Sequence, residues 1–111
     1  MSSAALGPLE LTVLLAVTRL DEDAHGLAIR RDVSARTGHD YSVGAVYTTL
    51  QRLEDKGLLR SHMTEPLPVR GGRSRRQFTV TPSGRRALQT ARRVAASLWA
   101  DCIPPLRPRL S

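Results

Sequence analysis

The chain of 111 residues is poor in several residue types, and each scarcity excludes a class of structure. Cys102 is the single cysteine, which excludes an intrachain disulfide framework and a multi-cysteine zinc site. Aromatic residues make up 4% of the chain, so aliphatic side chains must fill any core. Lys56 is the only lysine, although 17 Lys and Arg residues outnumber 10 Asp and Glu residues. The positive charge is therefore almost entirely arginine, whose planar fork suits phosphates and guanine edges.

Long hydrophobic runs are also absent. The most apolar stretch, from Leu9 to Leu20, is interrupted by polar residues and is too short to span a bilayer. The start of the chain, Met-Ser-Ser-Ala-Ala, lacks the basic segment of a secretory signal peptide. We therefore expect a cytoplasmic protein with no membrane partner.

Chemistry-bearing motifs are equally scarce. The three histidines are scattered and have no ligand-type spacing with Cys102, so we expect no metal and no other cofactor. No carboxylate pair, nucleophile elbow or phosphate-binding loop motif occurs, and an enzyme is not expected. The net charge of +7 and the pI near 11.2 indicate a polyanionic partner, most commonly nucleic acid. Arginine richness can also reflect the base composition of a genome.

The stretch from Tyr41 to Leu59 has the signals of a helix with one polar face. Ser42 is a good N-cap, and Gly57 suits the left-handed conformation that follows a helix end. One apolar face is formed by residues spaced 3, 4 and 3 apart: Val43, Val46, Leu50 and Leu53. A helix of about 14 residues is roughly 21 Å long, and its opposite face is small, hydrogen-bonding or cationic. We interpret it as a DNA recognition helix.

Two helices are predicted before it. The first runs from about Pro8 to Leu20 and is apolar around most of its circumference, so it is buried either in the core of a monomer or also against a second subunit. The next runs from about Ala24 to Thr37, with Asp23 as its cap. Together with the recognition helix, across a short Gly-bearing turn, it predicts a helix-turn-helix.

A β-hairpin is predicted after Gly57. Alternating segments near Leu58–Glu65 and Arg76–Val80 flank a loop rich in Pro, Gly and Arg. The loop and its end contain Arg70, Arg73 and Arg75. Such a charge run is either a solvated loop or, directly after a recognition helix, a wing that contacts phosphates or the minor groove.

The last predicted helix begins with Thr81 as its cap and Pro82 in its first turn. Its apolar seam recurs at coiled-coil-like spacing and includes Leu88, Ala91, Ala95, Leu98 and Cys102. This seam should pack on the first helix, its own or a partner's. The residues that we assign to dimerisation are Leu9, Val13, Leu88, Ala91, Ala95 and Leu98.

These elements predict a mainly α fold with a small β-hairpin: a winged helix-turn-helix plus a C-terminal dimerisation helix. The expected divisions are a DNA-binding domain over 1–81, the dimerisation helix over 82–103 and a flexible tail over 104–111.

Several segments in combination resemble the PadR family of bacterial transcriptional regulators. They are Leu6–Leu20, His25–Ile29, Gly44–Leu58, Gly71–Arg73 and Phe78–Gly84. The resemblance covers roughly residues 6 to 90 and implies a winged helix-turn-helix dimer that represses a nearby promoter. It also implies release of DNA by a small molecule in some members. Many members have Pro after the recognition-helix tyrosine, where this chain has Thr48, and this difference bears on base contacts.

The DNA-binding candidates on the predicted recognition helix are Ser42, Ala45, Tyr47, Thr48, Thr49, Gln51 and Arg52. The resemblance implies that Tyr47 contacts the DNA backbone through its hydroxyl; the alternative is a packing residue. Gln can bind adenine and Arg can bind guanine, although Arg52 could instead pair with Glu54, Asp55 or Asp32.

Two residues near the end of the chain keep alternative interpretations. Trp99 is either a packing residue or an aromatic wall of a site for a small aromatic effector between subunits. Cys102 is a packed side chain or a redox switch. The function predicted is a DNA-binding repressor that binds an inverted-repeat operator as a homodimer. The alternative is a winged-helix module that contacts protein and binds no operator.

Overall fold

Four helices and one antiparallel hairpin form the fold in the computed structural model, which describes residues 6–64 and 75–102. The elements are α1 (Pro8–Leu20), a 3-10 turn (Asp21–Asp23), α2 (Gly26–Thr37), α3 (Val43–Asp55), β1 (Leu59–Met63), β2 (Arg76–Val80) and α4 (Pro82–Trp99). β1 and β2 pair antiparallel, with Leu59 opposite Val80 and Met63 opposite Arg76. The predicted fold class is confirmed. Arg70, Arg73 and the predicted tail lie outside the described residues.

The ends of α3 are fixed by the predicted residues. The Ser42 hydroxyl accepts a hydrogen bond from the Ala45 N–H at 3.0 Å. At the other end the Leu58 N–H donates to the Leu53 carbonyl and the Gly57 N–H donates to the Glu54 carbonyl, both at 2.9 Å. Gly57 has φ 77°, and this pair of bonds with a left-handed residue is the Schellman arrangement. Local sequence therefore predicts where α3 starts and stops.

The start of α2 differs from the prediction. Asp23 belongs to the 3-10 turn, and His25 takes the N-cap position before Gly26. The reason is pairing with β2: the Phe78 N–H donates to the Ala24 carbonyl at 2.8 Å, and His25 forms an isolated bridge with Gln77. Ala24 and His25 thus act as a minimal third strand of the sheet and cannot be helical.

The core of the described residues is aliphatic except for Phe78. α1 contributes Val13, Leu14, Ala16 and Val17, and α3 contributes Val46, Leu50 and Leu53. The assignment of Val13 to a dimer surface is wrong, because Val13 is fully buried within the protomer. Leu9 is partly buried and packs against the same core. Apolar periodicity shows which residues avoid water, but it does not show whether the chain itself or a second copy covers them.

The single lysine joins α3 to α1. Lys56 donates to both carboxylate oxygens of Glu10, at 2.9 and 2.8 Å, and the Gly7 N–H donates to Glu10 Oε1 at 2.9 Å. Burial raises the pKa of Glu10, but the hydrogen bonds from Lys56 and Gly7 and the nearby positive charges outweigh it, so the pKa is lowered. Glu10 is therefore ionised at neutral pH and fastens the C-terminal end of α3.

The last helix packs on the protomer only through its first turns. The Thr81 hydroxyl accepts from the Gly84 N–H at 3.0 Å and donates to the Gly57 carbonyl at 2.7 Å. From Arg92 to Cys102 every residue is exposed, including Leu98 at 71% and Trp99 at 59%. α4 ends at Trp99, before the seam predicted from the sequence reaches Cys102. Cys102 is exposed and not packed within the protomer.

Replacing Glu10 by Gln should destabilise the protein by about 1 kcal/mol at pH 7, because a partly buried, charge-assisted contact is lost. Glu10 has a lowered pKa, so its contribution is present above its ordinary value near 4.5 and disappears as the pH falls through the folded value. Urea unfolding of parent and variant at pH 7 and pH 3.5 measures this. Glu22→Gln, at an exposed carboxylate, is the matched control. An unchanged difference between parent and variant at both pH values would contradict the prediction.

Candidate nucleic-acid interface

The exposed face of α3 presents most of the predicted DNA-binding residues. Ser42, Tyr47, Thr48, Gln51 and Arg52 are exposed, and Ala45 is partly buried. The face opposite them is closed by Val46, Leu50 and Leu53, which are buried in the core. α3 therefore has one face fixed by packing and one face open to a ligand.

Thr49, which the sequence pattern places on the open face of α3, is buried, so that prediction is wrong. It is 5% exposed, and its hydroxyl donates to the Ala45 carbonyl at 2.8 Å. That bond inside the helix satisfies the hydroxyl, so the side chain can be buried without water. Val43 shows the opposite error: it was assigned to the apolar face but is 51% exposed. The buried arc of α3 is rotated towards Thr49 and away from Val43.

The open face is not uniformly positive. The Gln51 amide donates to Asp55 at 2.9 Å, one turn further along α3. Arg52 is exposed and forms no ion pair with any residue that the structure describes. Its charge contributes to the lowered pKa of Glu10. Arg52 is thus an available cation, whereas Gln51 must leave Asp55 before its amide can contact another group.

Arg30 of α2 sets the turn that leads into α3. Its Nε donates to the Tyr41 carbonyl at 2.8 Å, and its Nη2 contacts Asp40 at 3.1 Å. The ring of His39 lies 4.3 Å from the ring of Tyr41, centroid to centroid. These contacts hold the segment before Ser42 against α2 and fix the position of the first turn of α3.

Tyr47 occupies space that exists only because residue 26 is glycine. A Cβ at Gly26 would lie 2.0 Å from the Tyr47 hydroxyl oxygen and 2.4 Å from the adjacent ring carbon. The phenol ring therefore crosses the first turn of α2, while 43% of the residue's surface remains exposed. This contact between two helices has no local sequence signal, although His25 and Gly26 both lie in a segment that resembles the family pattern.

Arg75, directly before β2, is a cation that lines the same cavity as Tyr47. Arg75 Nη1 lies 3.2 Å from His25 Nε2. Arg76 is turned away from them: it donates to Glu54 at 2.6 Å and to the Ser61 hydroxyl at 3.0 Å, and its guanidinium lies 5.3 Å from the centre of the Phe78 ring. Arg75 is one of the predicted DNA-binding residues, whereas His25 and the Arg76–Glu54 pair could not be predicted, because both depend on contacts between distant segments.

Other kinds of site have no support in residues 6–64 and 75–102. No group of three or more potential ligands there could hold a metal ion. None of the helices described combines the length and the apolar character that a membrane span requires.

The geometry defines a class of protein. Two helices joined by a short turn precede an antiparallel hairpin, and Tyr47 of the second helix lines the same cavity as Arg75 at the loop end of the hairpin. This is a winged helix-turn-helix protein. The model of the transcriptional regulator PadR-like family matches residues 13–90, and the chain belongs to that family.

Relatives agree with this assignment. Transcriptional regulator Rv3488 of Mycobacterium tuberculosis is 41% identical over 83 residues, which are 75% of this chain and 73% of the relative. The crystal structure of a PadR family transcriptional regulator from Eggerthella lenta is similar, with a TM-score of 0.62 and 29% identity over 81% of this chain and 80% of that chain. A PadR-like transcription factor from Bacteroides fragilis shares the fold, with a TM-score of 0.66, 22% identity, and coverage of 81% and 82%. The chain is a transcriptional regulator and not an enzyme, as the sequence predicted.

Replacing Gly26 by Ala should displace Tyr47, because the new Cβ and the phenol oxygen cannot both occupy their positions. We expect a stability loss of about 1–3 kcal/mol from overpacking and a shift of the Tyr47 ring resonances in NMR spectra. Gly44→Ala is the matched control: nothing lies within 4 Å of its added Cβ, and helix propensity should stabilise it by about 0.5–1 kcal/mol. Equal effects of the two substitutions on the urea midpoint would contradict the close contact.

Proposed function

We propose that the protein binds double-stranded DNA as a homodimer and represses transcription from an inverted-repeat operator. The observation that supports this most is the fixed orientation of α3, which buries one face in the core and leaves Thr48, Gln51 and Arg52 exposed. The cationic loop end of the hairpin lies beside that open face, because Tyr47 and Arg75 line one cavity. Such an arrangement serves both base recognition and phosphate binding.

Base recognition falls to the exposed side chains of α3 in the major groove. Arg52, which is free of ion pairs among the described residues, can donate two hydrogen bonds to guanine. Gln51 can bind adenine once its amide exchanges Asp55, which it contacts at 2.9 Å, for a base edge. Thr48 and Ala45 are small enough to let the helix approach the bases closely.

Phosphate contacts position the protein on the duplex. The Ser42 hydroxyl oxygen accepts from the backbone of α3, which leaves its O–H free to donate to a phosphate. Tyr47 and Arg75 present a phenol hydroxyl and a guanidinium on the same side. We also propose phosphate contacts for Arg70 and Arg73, which lie outside the described residues.

Dimerisation is proposed through the outer half of α4. Leu88 and Ala91 are partly buried, whereas Ala95 and Leu98 are exposed and continue the same face. Leu9 on α1 is partly buried against the core, and we propose that its remaining exposed surface also joins the interface. Burying exposed aliphatic surface of this kind contributes roughly 25 cal/mol per Å². Two copies joined there would present their recognition helices about 34 Å apart, one turn of DNA.

The effector site is proposed at the same interface. Trp99 lies next to Leu98 at the end of α4, and its indole is mostly exposed in the protomer. Between two copies such indoles could enclose a planar aromatic compound, whose binding would change the spacing of the recognition helices. The alternative function is a winged-helix module that contacts protein alone. The cationic loop end of the hairpin argues against this alternative.

Arg52→Ala should weaken binding to an operator selected from random duplexes by about tenfold or more, because a good bidentate base contact contributes about 1–3 kcal/mol. The urea midpoint should stay close to the parent value, since Arg52 is exposed. Arg93→Ala, an equal charge change on the outer side of α4, is the control. Fluorescence anisotropy at fixed salt gives the affinities. Equal losses in the two variants would show that only net charge matters.

Leu98→Glu should convert the dimer to a monomer and reduce operator affinity, because it places a charge in the proposed interface. Leu98 is 71% exposed in the protomer, so the fold should tolerate the change. Ser97→Glu introduces the same charge on the opposite side of α4 and should leave the dimer intact. Sedimentation velocity over a range of protein concentrations measures this. A parent that stays monomeric, or a Leu98→Glu variant that stays dimeric, would overturn the proposed interface.

A further inference from the structure

A cavity of about 290 Å³ lies where α2 begins, beside the loop end of the hairpin. It is lined by His25, Gly26, Leu27, Tyr47, Arg75 and Arg76. None of these lining residues has a carboxylate, whereas four have a side-chain nitrogen or hydroxyl group, and one of the four, Arg76, is already paired with Glu54 and Ser61. The lining is therefore suited to an anion.

The contact between His25 and Arg75 depends on the protonation state of the imidazole. A guanidinium can only donate hydrogen bonds, so the 3.2 Å contact requires that His25 Nε2 accepts one. His25 is therefore neutral in this arrangement. Burial, followed by the charge of Arg75, lowers the pKa of His25, which agrees with the neutral form.

Among residues 6–64 and 75–102, the other charged groups near His25 lie on the 3-10 turn, on α2 and on β2. Asp23 in the 3-10 turn raises the pKa and Arg31 on α2 lowers it. Arg76 on β2 is paired with Glu54 of α3. Asp32, which lines the adjacent surface on α2, is paired with Arg19 and lies 3.6 Å from Arg36. Arg75 is thus the described cation that contacts His25 directly. Among these groups Asp23 favours a protonated imidazole, but burial and the two arginine charges outweigh it, so the pKa of His25 is lowered in the free protein.

We propose that this cavity binds a phosphate of the DNA backbone through Arg75, the Tyr47 hydroxyl and His25, and that His25 gains a proton when the DNA binds. This inference rests on the proposed DNA binding. A phosphate between Arg75 and His25 replaces His25 Nε2 as the acceptor that Arg75 uses in the free protein. His25 Nε2 then becomes a donor to the phosphate, and the nearby negative charge stabilises the imidazolium.

The proton uptake makes DNA affinity depend on pH with a defined sign. The pKa of His25 lies below its ordinary value of 6.5 in the free protein and is higher in the complex. Above both values the affinity is constant; between them it rises as the pH falls, by up to about tenfold per pH unit for each protomer. The arginines do not titrate in this range, so they add no slope.

The test is the operator affinity of the parent and of His25→Gln from pH 6.0 to pH 8.5, by fluorescence anisotropy at fixed ionic strength. Glutamine can donate to a phosphate but does not titrate. We expect the affinity of the parent to rise as the pH falls and that of His25→Gln to stay nearly flat. His62→Gln, at an exposed histidine on β1, should behave as the parent. Urea midpoints over the same pH range show that each variant is folded.

Calorimetry adds a direct readout. Titrations of the parent in two buffers that differ in ionisation heat should show proton uptake on binding, and His25→Gln should show less. An equal pH dependence in parent and His25→Gln, or no difference in proton uptake, overturns the inference while the proposed function stands. A folded parent that binds no duplex at any of these pH values overturns the proposed function as well.

Discussion

The burial of one face of α3 against α1 and the hairpin is the constraint on which the rest of the structure depends. Val46, Leu50 and Leu53 are fully or almost fully buried, in a core that is aliphatic apart from Phe78. Truncating a buried leucine typically costs about 2–5 kcal/mol, so rotation of α3 about its axis would be prohibitive in so small a domain. The Schellman turn and the Glu10–Lys56 contact fix the C-terminal end as well. The exposed side chains on the opposite face of α3 have a fixed position because the buried residues hold the helix in the core.

The candidate interface depends on both local and long-range structure. Exposed residues of α3 provide the groups that can distinguish bases, and one helix is enough to arrange them. The phosphate-binding side needs three segments: Gly26 leaves room for Tyr47, His25 contacts Arg75, and Arg76 is held by Glu54. Pairing of Ala24 and His25 with β2 brings the start of α2 against the hairpin. The helix-turn-helix and the hairpin thus form one surface.

What could be predicted from the sequence follows the range of the interactions. The bounds of α1 and β2, the cap at Ser42 and the start of α4 depend on signals within a few residues, and all were predicted. Thr49 and Val43 were misplaced because periodicity does not show which edge of an apolar stripe the neighbouring elements cover. Residue type likewise does not reveal that a threonine hydroxyl is satisfied by its own helix. Val13, Asp23, Gly26 and His25 are defined by residues far along the chain, which no local pattern records.

The junction between α3 and α4 has a mechanical consequence. Thr81 donates through its N–H to the Leu58 carbonyl at 3.1 Å and through its hydroxyl to the Gly57 carbonyl at 2.7 Å, within the turn that ends α3. The first turn of α4 is therefore attached directly to the end of α3. Because α4 is roughly 27 Å long, a small tilt at its outer end is transmitted through these two bonds to the end of α3.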